Sequence, residues 1–191
     1  MRVFVAVEPG AEQLQKIEEV LRKLTPKAPS AKWVDPAGLH LTLAFLGDIS
    51  EERLPLVIAA AESAAALHRP LALRISKGGV FGAGRRSRVL WLGVSGQVEE
   101  LGAVRRDLEQ ALAMSTGYAP EEGRFEPHLT LARSRDPRGD PALDACAQMV
   151  GDTDFGEVQI SEIVVFRSEL TTKGARYMPM ARARLTGLLQ A

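Results

Sequence analysis

The chain has 191 residues, 46% of them hydrophobic and 25% charged, the composition of a folded globular protein that needs no covalent staples. Lys+Arg and Asp+Glu both number 24, so the formal net charge is zero. No broad field then steers the molecule onto nucleic acid or membrane, and any nucleic-acid contact must be local.

"RVFVAV" is β-branched and apolar and predicts a strand over about residues 2–7. A helix follows, with Leu14, Ile17, Leu21 and Leu24 at helical spacing, and the two prolines of "TPKAPS" end it. "AKWV" reads as a short strand, "DPAG" as a turn and "LHLTLAFLG" as a strand of about eight residues. "DISEERLPLVIAAAESAAAL" predicts a helix capped by Ser50, with Glu51 and Glu52 at the positive end of its dipole. "LALRISKGGVF" and "RVLWLGV" are strands on either side of the loop "GAGRRS". "QVEELGAVRRDLEQALAMS" is a long amphipathic helix, "FEPHLTLARS" a strand and "DPALDACAQMV" a short helix. "FGEVQISEIVVFRSEL" and "ARYMPMARARL" close the chain as two strands joined by "TTKG". Adjacent strands favour an α+β fold with antiparallel pairing. The order of elements repeats roughly twice, with a break near residue 85, which suggests two lobes facing a shared groove.

The sequence His-Leu-Thr-Leu-Ala occurs twice, at His40 and at His128, 88 residues apart. Side chains alternate along a strand, so His40 and Thr42 share one face, while Leu39, Leu41 and Leu43 face a core. His128 and Thr130 are backed in the same way by Leu129 and Leu131. An imidazole exchanges protons near neutrality. Two of them across a groove can act as a base and an acid. Threonine hydroxyls can hold non-bridging oxygens of an anion. Together they describe a phosphate cradle suited to in-line displacement at phosphorus.

Other readings are weaker. Paired histidines can bind zinc, but a third ligand is required, and neither His68, read as a surface residue at a helix end, nor Cys146, read as a core residue of an apolar helix, has motif spacing. No metal or other cofactor is expected. Cys146 is the single cysteine, which precludes an intramolecular disulfide and fits a reducing compartment. No G-x-S-x-G elbow appears. "GGVFGAGRRSR" lacks the spacing of a phosphate loop and reads as a strand connection. Its Arg85, Arg86 and Arg88 are either RNA-backbone contacts or a solvated turn. No signal peptide and no span of ~20 apolar residues is seen, so a cytoplasmic protein off the membrane is expected.

With these residues the sequence resembles the 2H phosphoesterase superfamily, and within it the RNA 2′,3′-cyclic phosphodiesterases known as 2′-5′ RNA ligases (LigT-like). "RVFVAVEPG", "LHLTLAFLGDI", "SRVLWLGV", "FEPHLTLARSR" and the closing "FRSEL…GARYMPMARARL" carry the likeness over nearly the whole chain. The resemblance implies one bilobal α+β domain over residues 1–191, with two pseudo-symmetric antiparallel sheets and outer helices around a central cleft. It implies metal-independent hydrolysis of terminal 2′,3′-cyclic phosphates to 2′-phosphomonoesters, and a reverse 2′-5′ ligation. RNA or oligonucleotide ends are the implied partners; no obligate protein partner is implied, and a monomer is expected.

On this resemblance the catalytic residues are His40 and His128, and the phosphate-binding residues Thr42 and Thr130. Arg133, Phe4, Arg176 and Tyr177 are further substrate-binding candidates. Phe4 is the candidate to stack the terminal base. Arg133 raises a question of parity. Five residues beyond His128, it points away from the groove on a regular strand, unless a bulge, the strand end or its own length brings it back. By family analogy His128 is the base and His40 the acid, although symmetry permits the reverse. Two rivals stand beside this reading. One is a module that binds phosphate without turnover. The other is a 2H enzyme acting on another cyclic phosphate, such as ADP-ribose 1″,2″-cyclic phosphate.

Overall fold

The computed structural model describes residues 1–82, 86–120, 123–171 and 174–187. In chain order the elements are β1 (Arg2–Val7), α1 (Ala11–Leu24), β2 (Lys32–Trp33), β3 (Leu41–Asp48), α2 (Leu54–Ala66), β4 (Leu71–Phe81) and β5 (Val89–Gly96). They continue with α3 (Val98–Thr116), β6 (His128–Arg133), α4 (Ala142–Val150), β7 (Asp154–Ile160), β8 (Glu162–Thr171) and β9 (Gly174–Arg184). Ala83, Gly84 and Arg85 of the expected "GAGRRS" loop, and Thr172 and Lys173 of "TTKG", lie outside the described residues.

The strands form two antiparallel sheets, as expected for the α+β class. The first has the order β3-β1-β8-β9 and the second β2-β6-β5-β4-β7. Each motif strand pairs with an apolar strand, β3 with β1 and β6 with β5. The two sheets are not the two halves of the sequence, however. β2 and β4 precede residue 85 yet sit in the second sheet, and β8 and β9 return to complete the first. The helices cross over as well. α1 follows a strand of the first sheet but packs against β7 of the second, and α3 follows β5 but packs chiefly on α2, which covers β8 and β9. α4 lies on β4 and β5.

Three local expectations need correction. The run "FGEVQISEIVVFRSEL" is not one strand. It breaks at Ser161 into β7, paired to β4, and β8, paired to β1 and β9. Uniform β propensity marks such a run as extended without saying which sheet receives each part. Ser50 makes no side-chain cap, since a 3-10 turn over Glu51–Arg53 precedes α2 and the Ser50 carbonyl accepts the Arg53 N–H at 3.1 Å. His68 is not a surface residue, because its Nε2 lies 2.7 Å from the Asp107 carboxylate and only 12% of its side chain is exposed, tying the end of α2 to α3. Cys146 is fully buried, as expected, and burial pushes its thiol pKa up.

One apolar core underlies both sheets. β1 shows how the sequence builds it: Val3, Val5 and Val7 enter this core, while Phe4 and Ala6 face the other way with Val164 and Phe166. No helix among the described residues is long and apolar enough to cross a membrane.

In the second sheet, Gly79 pairs with Trp91, and a Cβ at Gly79 would lie 2.3 Å from the indole ring. Gly79→Ala should therefore displace Trp91 and destabilise the fold by about 1–3 kcal/mol, the usual cost of overpacking, measured as a lower urea midpoint.

Candidate active site

Each motif strand carries the same local device. In β6, Trp91 pairs with Thr130 and Leu90 with Ala132, so Leu131 is an extra residue in the ladder. In β3, Ala6 pairs with Thr42 and Val5 with Ala44, so Leu43 is extra. Both are β-bulges, and both follow the threonine of His-x-Thr. The bulge lets Leu131 and Ala132 be buried together, and likewise Leu43 and Ala44. It also reverses the alternation beyond it. Arg133 thereby returns to the face of His128 and Thr130, and Phe45 to that of Thr42.

The two faces meet in one cleft of about 480 Å³, whose lining includes His40, Thr42, His128, Thr130, Arg133 and Tyr177. The histidines are held alike. His40 Nδ1 lies 2.7 Å from the Gly38 carbonyl, and His128 Nδ1 lies 2.7 Å from the Glu126 carbonyl. A carbonyl can only accept, so each Nδ1 carries a proton and each Nε2 is left as the atom that gains or loses one. The support for His40 starts in the preceding turn, where Asp35 Oδ1 accepts the Ala37 N–H at 3.0 Å and fixes the backbone leading to Gly38.

The surroundings differ. His40 sits over Phe4 at 4.6 Å between ring centroids, with the edge of Tyr177 at 4.9 Å. Phe166 stacks on Phe4 from beyond, at 5.1 Å. Burial in this well lowers the His40 pKa; the Gly38 carbonyl opposes that shift, Arg133 adds to it and Glu8 offsets part of it. Among the described residues His128 meets one ring, Phe81, edge-on at 4.8 Å. Among the described residues, no group of three His, Cys, Asp or Glu side chains gathers to hold a metal ion.

A profile of the 2′-5′ RNA ligase superfamily matches residues 7–172. The chain belongs to the 2′-5′ RNA ligase superfamily. It is 31% identical over 188 residues to an RNA 2′,3′-cyclic phosphodiesterase of Methanothermobacter thermautotrophicus, covering 97% of this chain and 99% of that protein. It is 35% identical over 147 residues to the enzyme of the same name from Aeropyrum pernix, covering 76% and 81%. The crystal structure of a Thermus thermophilus protein superposes with a TM-score of 0.81 at 30% identity, covering 98% of this chain and 99% of that one. E. coli LigT complexed with 3′-AMP gives a TM-score of 0.76 at 27% identity, covering 97% and 98%.

Within this 2′-5′ RNA ligase fold the other expected residues divide. Tyr177 lines the cleft. Phe4 is 3% exposed and forms the floor beneath His40, so no base can reach it to stack. Arg176 pairs with Glu169 in the β8–β9 ladder, on the opposite face from Tyr177, and is absent from the cleft lining. Arg86 and Arg88 also lie off the cleft, and Arg85 falls outside the described residues. Phe45 lines the cleft and escaped the sequence reading; aligning the two repeats would have found it, five residues past His40 as Arg133 is five past His128. Arg105 and Phe125 also line it and carry no local signal of doing so.

Because burial is the chief cause of the lowered His40 pKa, Phe4→Ala should let water reach the ring and move its titration upward, as followed by NMR of the imidazole Cε1 proton. Native His40 binds its proton less readily than the unfolded chain does. Its contribution to stability is then present above the ordinary histidine value of about 6.5 and is lost as the pH falls through the native pKa. Urea titrations of the native protein and of His40→Asn should diverge in that window.

Proposed function

We propose that this protein hydrolyses the 2′,3′-cyclic phosphate at an RNA end to a 2′-phosphomonoester, using His40 and His128 as an acid–base pair. The observation that carries this reading is the matched pair of His-x-Thr strands, one from each sheet, lining one cleft with both Nδ1 atoms engaged by backbone carbonyls. The relatives named RNA 2′,3′-cyclic phosphodiesterase support the substrate class.

In this reading His128 Nε2 takes a proton from water as the water oxygen attacks phosphorus. The bond from phosphorus to the 3′-oxygen breaks on the opposite side. His40, protonated, gives its Nε2 proton to that departing oxygen, so the histidines end with their protonation states exchanged. Thr42 and Thr130 donate to the non-bridging oxygens as charge builds on them. Arg133, returned to this face by the bulge, faces the same anion. The lowered His40 pKa makes its protonated form a stronger acid, which suits donation to an alkoxide leaving group. The same steps, with a 5′-hydroxyl attacking in place of water, form a 2′-5′ linkage.

Three results are expected. Replacing either histidine by alanine lowers kcat on a nucleoside 2′,3′-cyclic phosphate about 10²–10⁴-fold, and replacing either threonine lowers it less. The kcat/KM profile is bell-shaped in pH. The limb that reports His40 lies below the ordinary histidine value and moves upward in Phe4→Ala, and a profile that Phe4→Ala leaves unmoved would remove His40 from the pair. EDTA leaves the rate intact, and loss of activity restored by zinc would overturn the metal-independent mechanism. Tight binding without product would point to a binding module instead.

A further inference from the structure

A single cyclic phosphate carries one negative charge, and Arg133 is enough to face it. The cleft holds more cation than that. Arg105 and Arg124 also line it, and both come from the wall built by α3 and the segment leading into β6 rather than from the motif strands. The chain as a whole has no net charge, so this concentration is local. Acidic groups are present too: Glu126 lines the cleft, and Glu109 pairs with Arg105.

Arg105 is held in a defined pose. Its Nε and Nη2 lie 2.8 Å from Glu109 Oε1, one helical turn further along α3. Its Cζ lies 4.6 Å from the centroid of the Phe125 ring. The bonds to Glu109 use Nε and Nη2, and Nη1 takes no part in them. Phe125 and Tyr118 line the same wall. Cationic groups interleaved with aromatic faces are how proteins hold single-stranded nucleic acid without reading its sequence.

We propose that Arg105, Arg124 and Phe125 form a subsite for the phosphodiester and nucleoside on the 5′ side of the reacting end, so that the enzyme selects oligonucleotide ends over mononucleoside cyclic phosphates. This rests on the hydrolase reading above and extends it to the next nucleotide. Arg124 supplies the charge that a second phosphate requires, and Arg105, whose own charge is balanced by Glu109, offers Nη1 as a donor beside the ring. The aromatic face accepts a base of any identity.

The experiment compares adenosine 2′,3′-cyclic phosphate with a trinucleotide ending in the same group, across a salt series, for the native enzyme, Arg124→Gln and the charge-balanced pair Arg105→Gln with Glu109→Gln. The native enzyme is expected to show at least a tenfold higher kcat/KM on the trinucleotide at low salt. Each variant should lose at least tenfold more on the trinucleotide than on the mononucleotide. Its log–log salt slope for the trinucleotide should flatten by about 0.7 per phosphate contact removed. Equal losses on both substrates would overturn the subsite, leaving Arg105 as a brace for the segment that carries the Glu126 carbonyl. Native turnover of the mononucleotide with no dependence on chain length would overturn the subsite alone, whereas turnover of neither substrate would overturn the hydrolase reading with it. A preference for ADP-ribose 1″,2″-cyclic phosphate over the trinucleotide, lost in the same variants, would assign the arginines to a pyrophosphate and overturn the oligonucleotide subsite.

Discussion

A regular strand cannot bury two consecutive side chains on one face, yet Leu43 and Ala44 are both in the core, and so are Leu131 and Ala132. The conflict is resolved in each strand by one extra residue in the ladder. Much of the cleft depends on that adjustment. Ahead of the bulge, the strand presents histidine and threonine. Behind it, the alternation is reset and a further side chain returns to the same face. The core thus determines the cleft: burying the leucine and the alanine obliges the next residue to face the cleft. The two lobes use the device for different ends, an aromatic ring at Phe45 and a cation at Arg133.

The same departure from symmetry runs through the two histidines. Their Nδ1 atoms are fixed by equivalent carbonyls two residues upstream, at equal distances. Beyond that, one imidazole rests in a well of Phe4 and Tyr177, and the other meets Phe81 edge-on. Burial in that well lowers the proton affinity of His40, so the surroundings rather than the motif set its titration. The duplicated strand supplies the pair, and the unduplicated neighbours differentiate it. Gly38 belongs to this arrangement, since a Cβ there would lie 3.0 Å from the Tyr177 ring that closes over His40.

Charge is arranged on the same principle of local contrast. A chain without net charge has no long-range field to draw in RNA, so in the proposed reading recognition rests on charges placed locally in the cleft. Arg133 comes from the motif strand, while Arg105 and Arg124 come from a wall built by other elements. In the proposed reading this division gives the reacting phosphate and the chain that carries it different partners.

The amino-acid sequence by itself determined the four central side chains and the helices and strands around them. Histidine and threonine two apart on an apolar strand must share a face, and the repeat made that pairing legible. Tertiary structure alone decided the rest, because the rest depends on contacts between distant segments. Periodicity assigned Arg133 the wrong face until the ladder with β5 supplied the bulge. Phe4 reads as an exposed stacking ring until Phe166 and His40 close over it. Arg176 and Tyr177 are neighbours in sequence, and β8 pairing sends them to opposite faces. Residue 161 divides one β-rich run between two sheets, a choice made by the partners β4 and β1 and not by propensity. Arg105 meets Phe125 only because α3 and the approach to β6 pack side by side. Local pattern governs which way a side chain faces, and the pairing of remote strands governs what it meets there.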